Sequence, residues 1–149
     1  MPEERGLLRI VLIEDNQDHA KILRWAFERT SPKTQLLFFQ DAESALAHLR
    51  SNGEDPALVP DLIFLDFNLP KVDGREMLRL LKASKISKDV PVIVLSSSER
   101  DEDVRNAYRL GASTYISKSV ILNELSDSLQ SVLDYWLRLA KLPDRGYHG

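Results

Sequence analysis

Short apolar runs alternate with amphipathic stretches along the whole chain. The run Leu8-Arg9-Ile10-Val11-Leu12-Ile13 is β-branched, too short for a helix, and stops at the charged turn Glu14-Asp15-Asn16, which predicts a first strand. Asn16 or Asp18 is placed to cap a helix in which Ala20, Leu23 and Phe27 recur at helical spacing, with Trp25 off the stripe and Pro32 after its end. Residues 34–39 form a second strand, and Asp41 opens a helix with Ala42, Ala45, Leu46 and Leu49 on one face and Asn52-Gly53 at its end. A loop punctuated by Pro56 and Pro60 leads into the stretch from Asp61 to Asp66, an apolar third strand that ends abruptly in a carboxylate. Turn residues from Leu69 through Pro70 to Asp73-Gly74 precede a helix marked by Met77, Leu78 and Leu81. Residues 91–96 are a fourth buried strand. The polar run 96–101 offers caps to a helix with Val104, Ala107 and Tyr108 inward, which Gly111 stops. Residues 113–117 make a short, half-polar fifth strand, and Leu122, Leu125, Leu129, Val132 and Trp136 trace one long last helix.

Five strands alternating with five helices, most strands apolar on both faces, predict an α/β fold with a parallel sheet covered on both sides. Such sheets place their sites beyond the carboxyl ends of the strands. Five chemically capable residues fall on that edge: Glu14 and Asp15 after strand one, Asp66 ending strand three, Ser96 ending strand four and Lys118 after strand five. Taken alone, Asp66 reads equally as a residue capping the next turn or as a reactive carboxylate that needs a cation or hydrogen bonds.

Composition narrows the choice of partners. A length of 149 residues fits a single domain, 1–149, with residues 143–149 as a short tail. The formal charge of -3 and the scatter of its basic residues disfavour nucleic acid. Without cysteine there is no disulfide, thiolate metal site or cysteine nucleophile, and neither a signal peptide nor a membrane span is apparent, so a soluble cytoplasmic protein is expected.

Three carboxylates gathered at one edge repel one another unless some protonate or a cation sits among them. Oxygen ligands without His or Cys point to a hard divalent ion, Mg²⁺ or Mn²⁺. A lysine and a hydroxyl from neighbouring strands would serve an added phosphoryl group, for which an aspartate is a suitable acceptor.

With these residues in this order the chain resembles, over nearly its whole length, the receiver domains of two-component response regulators. The resemblance implies a flavodoxin-like (βα)5 doubly wound sheet in the order 2-1-3-4-5. It implies that Glu14 and Asp15 bind the metal, that Asp66 accepts a phosphoryl group from a histidine kinase, and that the backbone carbonyl of Asn68 joins the metal ligands. Ser96 matches the family's hydroxyl switch, Tyr115 its aromatic switch and Lys118 its phosphate-binding lysine. Such a protein is a phosphoacceptor, promoting only its own phosphorylation and dephosphorylation, and holds no organic cofactor. One departure stands at Ser119, where the family usually has proline after the lysine, often behind a cis bond. Before serine a cis bond costs about 3 kcal/mol, so a trans bond or a reshaped loop is expected.

No second effector segment is apparent in the chain, so the expected output is protein contact. A homodimer through the fourth helix, fifth strand and last helix is preferred, with Leu133, Tyr135, Trp136, Leu137, Leu139 and Leu142 as surplus apolar surface. The long loop before Pro60, the Lys118-Ser119 pair and the extension to Leu142-Pro143 resemble, more narrowly, the regulators paired with bacterial phytochrome histidine kinases. Three rivals are weighed. A flavodoxin-like cofactor binder is disfavoured because Glu14-Asp15 would repel its phosphate. An aspartate-nucleophile phosphohydrolase would want a second acid where Asn68 stands. A receiver-shaped adaptor that is never phosphorylated is distinguished by phosphoryl uptake. His19, His48 and His148 are isolated in the sequence and are assigned no role.

Overall fold

The apolar runs form strands β1 (Leu8–Ile13), β2 (Thr34–Phe39), β3 (Leu62–Asp66), β4 (Val92–Ser96) and β5 (Thr114–Ser117) in a computed structural model. The structure describes residues 8–30, 34–51, 55, 59–69, 73–123 and 127–143. The predicted features at Pro32, Asn52-Gly53, Pro56, Pro70, Leu125 and His148, with the tail from residue 144, lie outside these residues. The strands pair in parallel in the order β2-β1-β3-β4-β5, the predicted doubly wound, flavodoxin-like topology.

Strand alternation sorts the side chains into two cores. Val11, Ile13, Ile63, Leu65, Val92 and Val94 face α2 (Ala42–Ser51), α3 (Gly74–Ala83) and α4 (Asp101–Arg109). Ile10, Leu12, Leu62, Phe64, Ile93 and Leu95 face α1 (Gln17–Thr30) and the C-terminal helices. Every residue of β3 and β4 is buried as a result, each large apolar side chain contributing about 1.5–3 kcal/mol by leaving water. Phe27 of α1 meets Phe64 edge-on, with ring centroids 5.2 Å apart. Asp61 ties the start of β3 to β1, its carboxylate accepting the Arg9 amide at 2.9 Å while its own amide donates to the Arg9 carbonyl at 2.7 Å.

Side chains set the helix starts. Asn16 Oδ1 accepts from the amides of Asp18 and His19. Asp41 accepts from Ser44 and Asp73 from Glu76, each three residues on, so three orphan turns are satisfied. At the end of α4, Gly111 takes φ 106°, and its amide reaches the Tyr108 carbonyl while Ala112 reaches Ala107.

Two expectations are corrected. Tyr108 does not point inward: it is 49% exposed, because Ala107 alone fills the narrow contact of the nine-residue α4, and the Tyr108 hydroxyl instead accepts the Tyr115 amide beside the sheet edge. The long last helix is interrupted. A single turn, α5 (Lys118–Ile121), follows β5 directly; α6 (Ser128–Asp134) starts after Asp127, and the chain continues as a π-helical turn, Tyr135–Leu139. Asn, Asp and Ser between and at these ends favour turns and caps over helix interior. Leu133 and Leu142 are buried and Trp136 and Leu137 pack on the core, leaving Tyr135 and Leu139 exposed. Most of the supposed surplus apolar surface is therefore internal. No cis peptide bond is present among the described residues, so Lys118-Ser119 is trans and passes straight into α5. None of the described helices is long and apolar enough to cross a membrane.

Candidate functional site

Sheet register explains how residues far apart in sequence meet. Ile13 is paired with Leu65, so the next residues, Glu14 and Asp66, leave adjacent strands side by side. Alternation turns Glu14 and Asp66 toward the α1 face, and Lys118, one residue beyond β5, toward the same face. Ser96 and Tyr115 have the opposite parity and belong to the α3–α4 face.

Lys118 Nζ lies 2.7 Å from Glu14 Oε1 and 3.0 Å from Asp66 Oδ2, with all three side chains almost fully buried. The other Asp66 oxygen accepts the Asn68 amide at 2.9 Å, and Glu14 Oε2 accepts the Asn16 amide at 3.2 Å. Carboxylate oxygens of Glu14, Asp15 and Asp66 converge to within 4.8 Å of one another, with Asp15 exposed at the mouth.

These acids do not all ionise freely. Burial, then the hydrogen bond with Asp66, pushes Glu14 up to about 8. Burial and Asp66 likewise raise Asp15. Asp66 itself is held below its ordinary value: burial opposes this but is outweighed by the bond from Glu14, the Asn68 amide and Lys118. Burial and the neighbouring carboxylate thus favour a proton on Glu14 over one on Asp66. This donor set, three carboxylates whose oxygens converge beside a buried lysine, fits a hard divalent ion.

His19, given no role from sequence, belongs to the site. Its Nδ1 is 3.2 Å from Lys118 Nζ and 3.7 Å from Glu14 Oε1. Burial and the lysine charge lower its pKa, so the neutral ring accepts one ammonium proton. The available signal was its position: the first turn of the helix that directly follows the acidic pair. His48, by contrast, packs on the Phe39 ring.

Ser96 and Tyr115 form a separate network. Ser96 Oγ accepts the Ser98 amide at 3.1 Å, and the Tyr115 hydroxyl donates to the Ser98 carbonyl at 2.7 Å. The structure therefore gathers Glu14, Asp15, Asp66 and Lys118 directly, engages Asn68 through its amide, and joins the two switch candidates to each other through Ser98.

The profile of the response regulator receiver domain matches residues 10–130. The chain is 34% identical over 134 residues to a probable methanogenesis regulatory protein, FilR2, of Methanothrix harundinacea, covering 90% of this chain and 86% of that protein. It is 34% identical over 135 residues to response regulator Rcp1 of Synechocystis sp., covering 90% and 92% respectively. The Mn²⁺-bound structure of Rcp1 superposes with a TM-score of 0.80 over 91% of this chain and 99% of that one. The phosphorylated cyanobacterial phytochrome response regulator RcpA superposes with a TM-score of 0.82 at 36% identity, covering 93% of this chain and 99% of that one.

Proposed function

The chain belongs to the response regulator receiver domain family, and from that premise we propose that Asp66 accepts a phosphoryl group from a histidine kinase. The observation that carries this reading is the charge arrangement: an ionised Asp66 held between the Asn68 amide and a buried Lys118, with two further acids within 4.8 Å. A carboxylate oxygen of Asp66 forms a bond to phosphorus as the phosphohistidine P–N bond breaks, and the imidazole nitrogen keeps that electron pair and takes up a proton. A divalent ion held by Glu14, Asp15, Asp66 and the Asn68 carbonyl would supply positive charge for the transferring oxygens. Lys118 then turns one N–H from its carboxylate partners to the new phosphoryl oxygens, and Ser96 offers its hydroxyl. Water hydrolyses the acyl phosphate and restores Asp66.

The output is contact with protein. Tyr108 of α4 and Val120 of α5 are 49% and 45% exposed on either side of β5, a surface suited to a second copy or a target whose fit changes with phosphorylation. A phytochrome-type kinase as donor is supported by the likeness to RcpA. Incubation with acetyl phosphate and Mg²⁺ tests the acceptor assignment by intact mass: the protein gains one phosphoryl group and Asp66→Asn gains none. No gain, or an equal gain in the variant, rejects it and leaves a phosphorylation-independent adaptor.

A further inference from the structure

Ser98, in the loop between β4 and α4, has every polar group engaged. Its amide donates to Ser96 Oγ at 3.1 Å and its carbonyl accepts the Tyr115 hydroxyl at 2.7 Å. Its own hydroxyl accepts the Arg100 amide at 3.2 Å and donates to Asp103 Oδ2 at 2.5 Å. The second Asp103 oxygen is bound by Arg75 Nη2 of α3 at 2.7 Å. Arg75 in turn lies over the Phe67 ring, 5.1 Å from its centroid, and that ring meets Tyr115 edge-on at 6.2 Å. Phe67 directly follows Asp66. A closed circuit therefore runs from the residue beside the acceptor, through Arg75, Asp103 and Ser98, to Tyr115 and back.

We propose that Ser98, Asp103 and Arg75 form a strap of positioning residues that fixes the β4–α4 loop, and so holds the Tyr115 hydroxyl against it and presents Ser96 to the phosphoryl site; this rests on Asp66 being the acceptor. The chemistry favours presentation. Because Ser96 Oγ accepts the Ser98 amide, a lone pair is committed and the hydroxyl hydrogen stays available to a phosphoryl oxygen. With its oxygen anchored, Tyr115 cannot swing outward without surrendering that bond. The Ser98 backbone joins the two, and its hydroxyl ties that backbone to Asp103 and, through Arg75, to α3. A short bond to a carboxylate that is itself ion-paired is the strong kind, so the strap's loss raises the population of loop conformations in which Ser96 is misplaced. Loss of about one net hydrogen bond should slow phosphorylation about three- to tenfold.

The test compares Ser98→Ala, Asp103→Ala and their double variant with Ser98→Thr, which retains the hydroxyl. Initial rates of phosphoryl gain from acetyl phosphate with Mg²⁺ are read by intact mass. In unphosphorylated protein carrying 3-fluorotyrosine, the ¹⁹F resonance of Tyr115, assigned with Tyr115→Phe, reports the loop without reference to activity. The expected result is slowing and a displaced or broadened Tyr115 signal in Ser98→Ala and Asp103→Ala, no further slowing in the double variant, and near-parental behaviour in Ser98→Thr. Parental rates, faster rates, or slowing with an unmoved Tyr115 resonance would each overturn the strap. If the parental protein gains no phosphoryl group at all, the acceptor reading fails by itself, and the Tyr115 resonance alone decides whether the strap orders the loop.

Discussion

Replacing Lys118 with methionine isolates the charge that balances the site. Methionine keeps most of the aliphatic volume of a side chain that is 7% exposed, so packing changes little. The lost ammonium, however, had contacts of 2.7 and 3.0 Å to two buried acids. Removing one partner of a buried ion pair costs about 3–5 kcal/mol when the other stays charged. Here the cost depends on pH, because Glu14 is pushed up to about 8. At pH 8.5 the parental Glu14 is mostly ionised and Lys118 balances two carboxylates; the variant should lose about 3 kcal/mol, the low end of that range because Glu14 limits the cost by regaining a proton. At pH 6 Glu14 already holds its proton and Lys118 balances Asp66 alone, which keeps the Asn68 amide and the Glu14 proton as hydrogen-bond partners, so the loss should fall to about 1.5–2 kcal/mol, the low end for a hydrogen bond to a charged group. Saturating Mg²⁺ at pH 8.5 should narrow the difference by replacing the missing charge. The assay is urea unfolding at both pH values, with and without Mg²⁺, read as the shift in midpoint at constant slope. An equal loss at pH 6 and 8.5 would refute the proton on Glu14, and a loss under about 0.5 kcal/mol at pH 8.5, the scale of an exposed pair, would refute a buried balance of charge.

The sign for the parental protein follows from the same values. Glu14 in the folded state retains a proton that the unfolded chain releases, so between about pH 4.5 and 8 its contribution weakens stability as pH rises. His19, lowered, opposes this as pH rises toward 6.5, and Asp66, also lowered, adds stability that is lost only as pH falls below 3.8. Two more outcomes can be measured. A divalent ion held by these acids would displace the Glu14 proton, so calorimetry with Mg²⁺ in buffers of different ionisation enthalpy should show proton release near pH 7 and affinity rising with pH until about 8, then levelling; affinity independent of pH from 6 to 8 would contradict this. Gly74→Ala would place a Cβ 2.4 Å from Phe67 Cα and 2.7 Å from its carbonyl oxygen, so chemical denaturation should show a loss of about 1–3 kcal/mol from overpacking, whereas an unchanged midpoint would mean that α3 shifts at no cost.

Much of the architecture was legible because local patterns and the global fold agree. Each apolar run became a strand, and Asn16, Asp41 and Asp73 cap the helices that follow them. The interruption after Ile121 was less legible, since leucines at helical spacing continue in the sequence past the point where α5 ends. Tyr108 misled for a related reason: periodicity gives the direction of a side chain around a helix but not whether a neighbour stands there to cover it.

By itself the sequence determined that Glu14, Asp15, Asp66, Ser96 and Lys118 share one edge of a parallel sheet, because strand direction and carboxyl-end placement follow from the alternation of periods. Only the tertiary structure decided how that set divides. Register and the two-residue repeat put Glu14, Asp66 and Lys118 in one buried ionic cluster, while Ser96 and Tyr115 meet through Ser98 on the other face. It also brought His19 to Lys118 and Arg75 to Asp103. Those contacts span 99 and 28 residues, and no local pattern encodes a pair so separated until helices and strands pack and fix the distance between them.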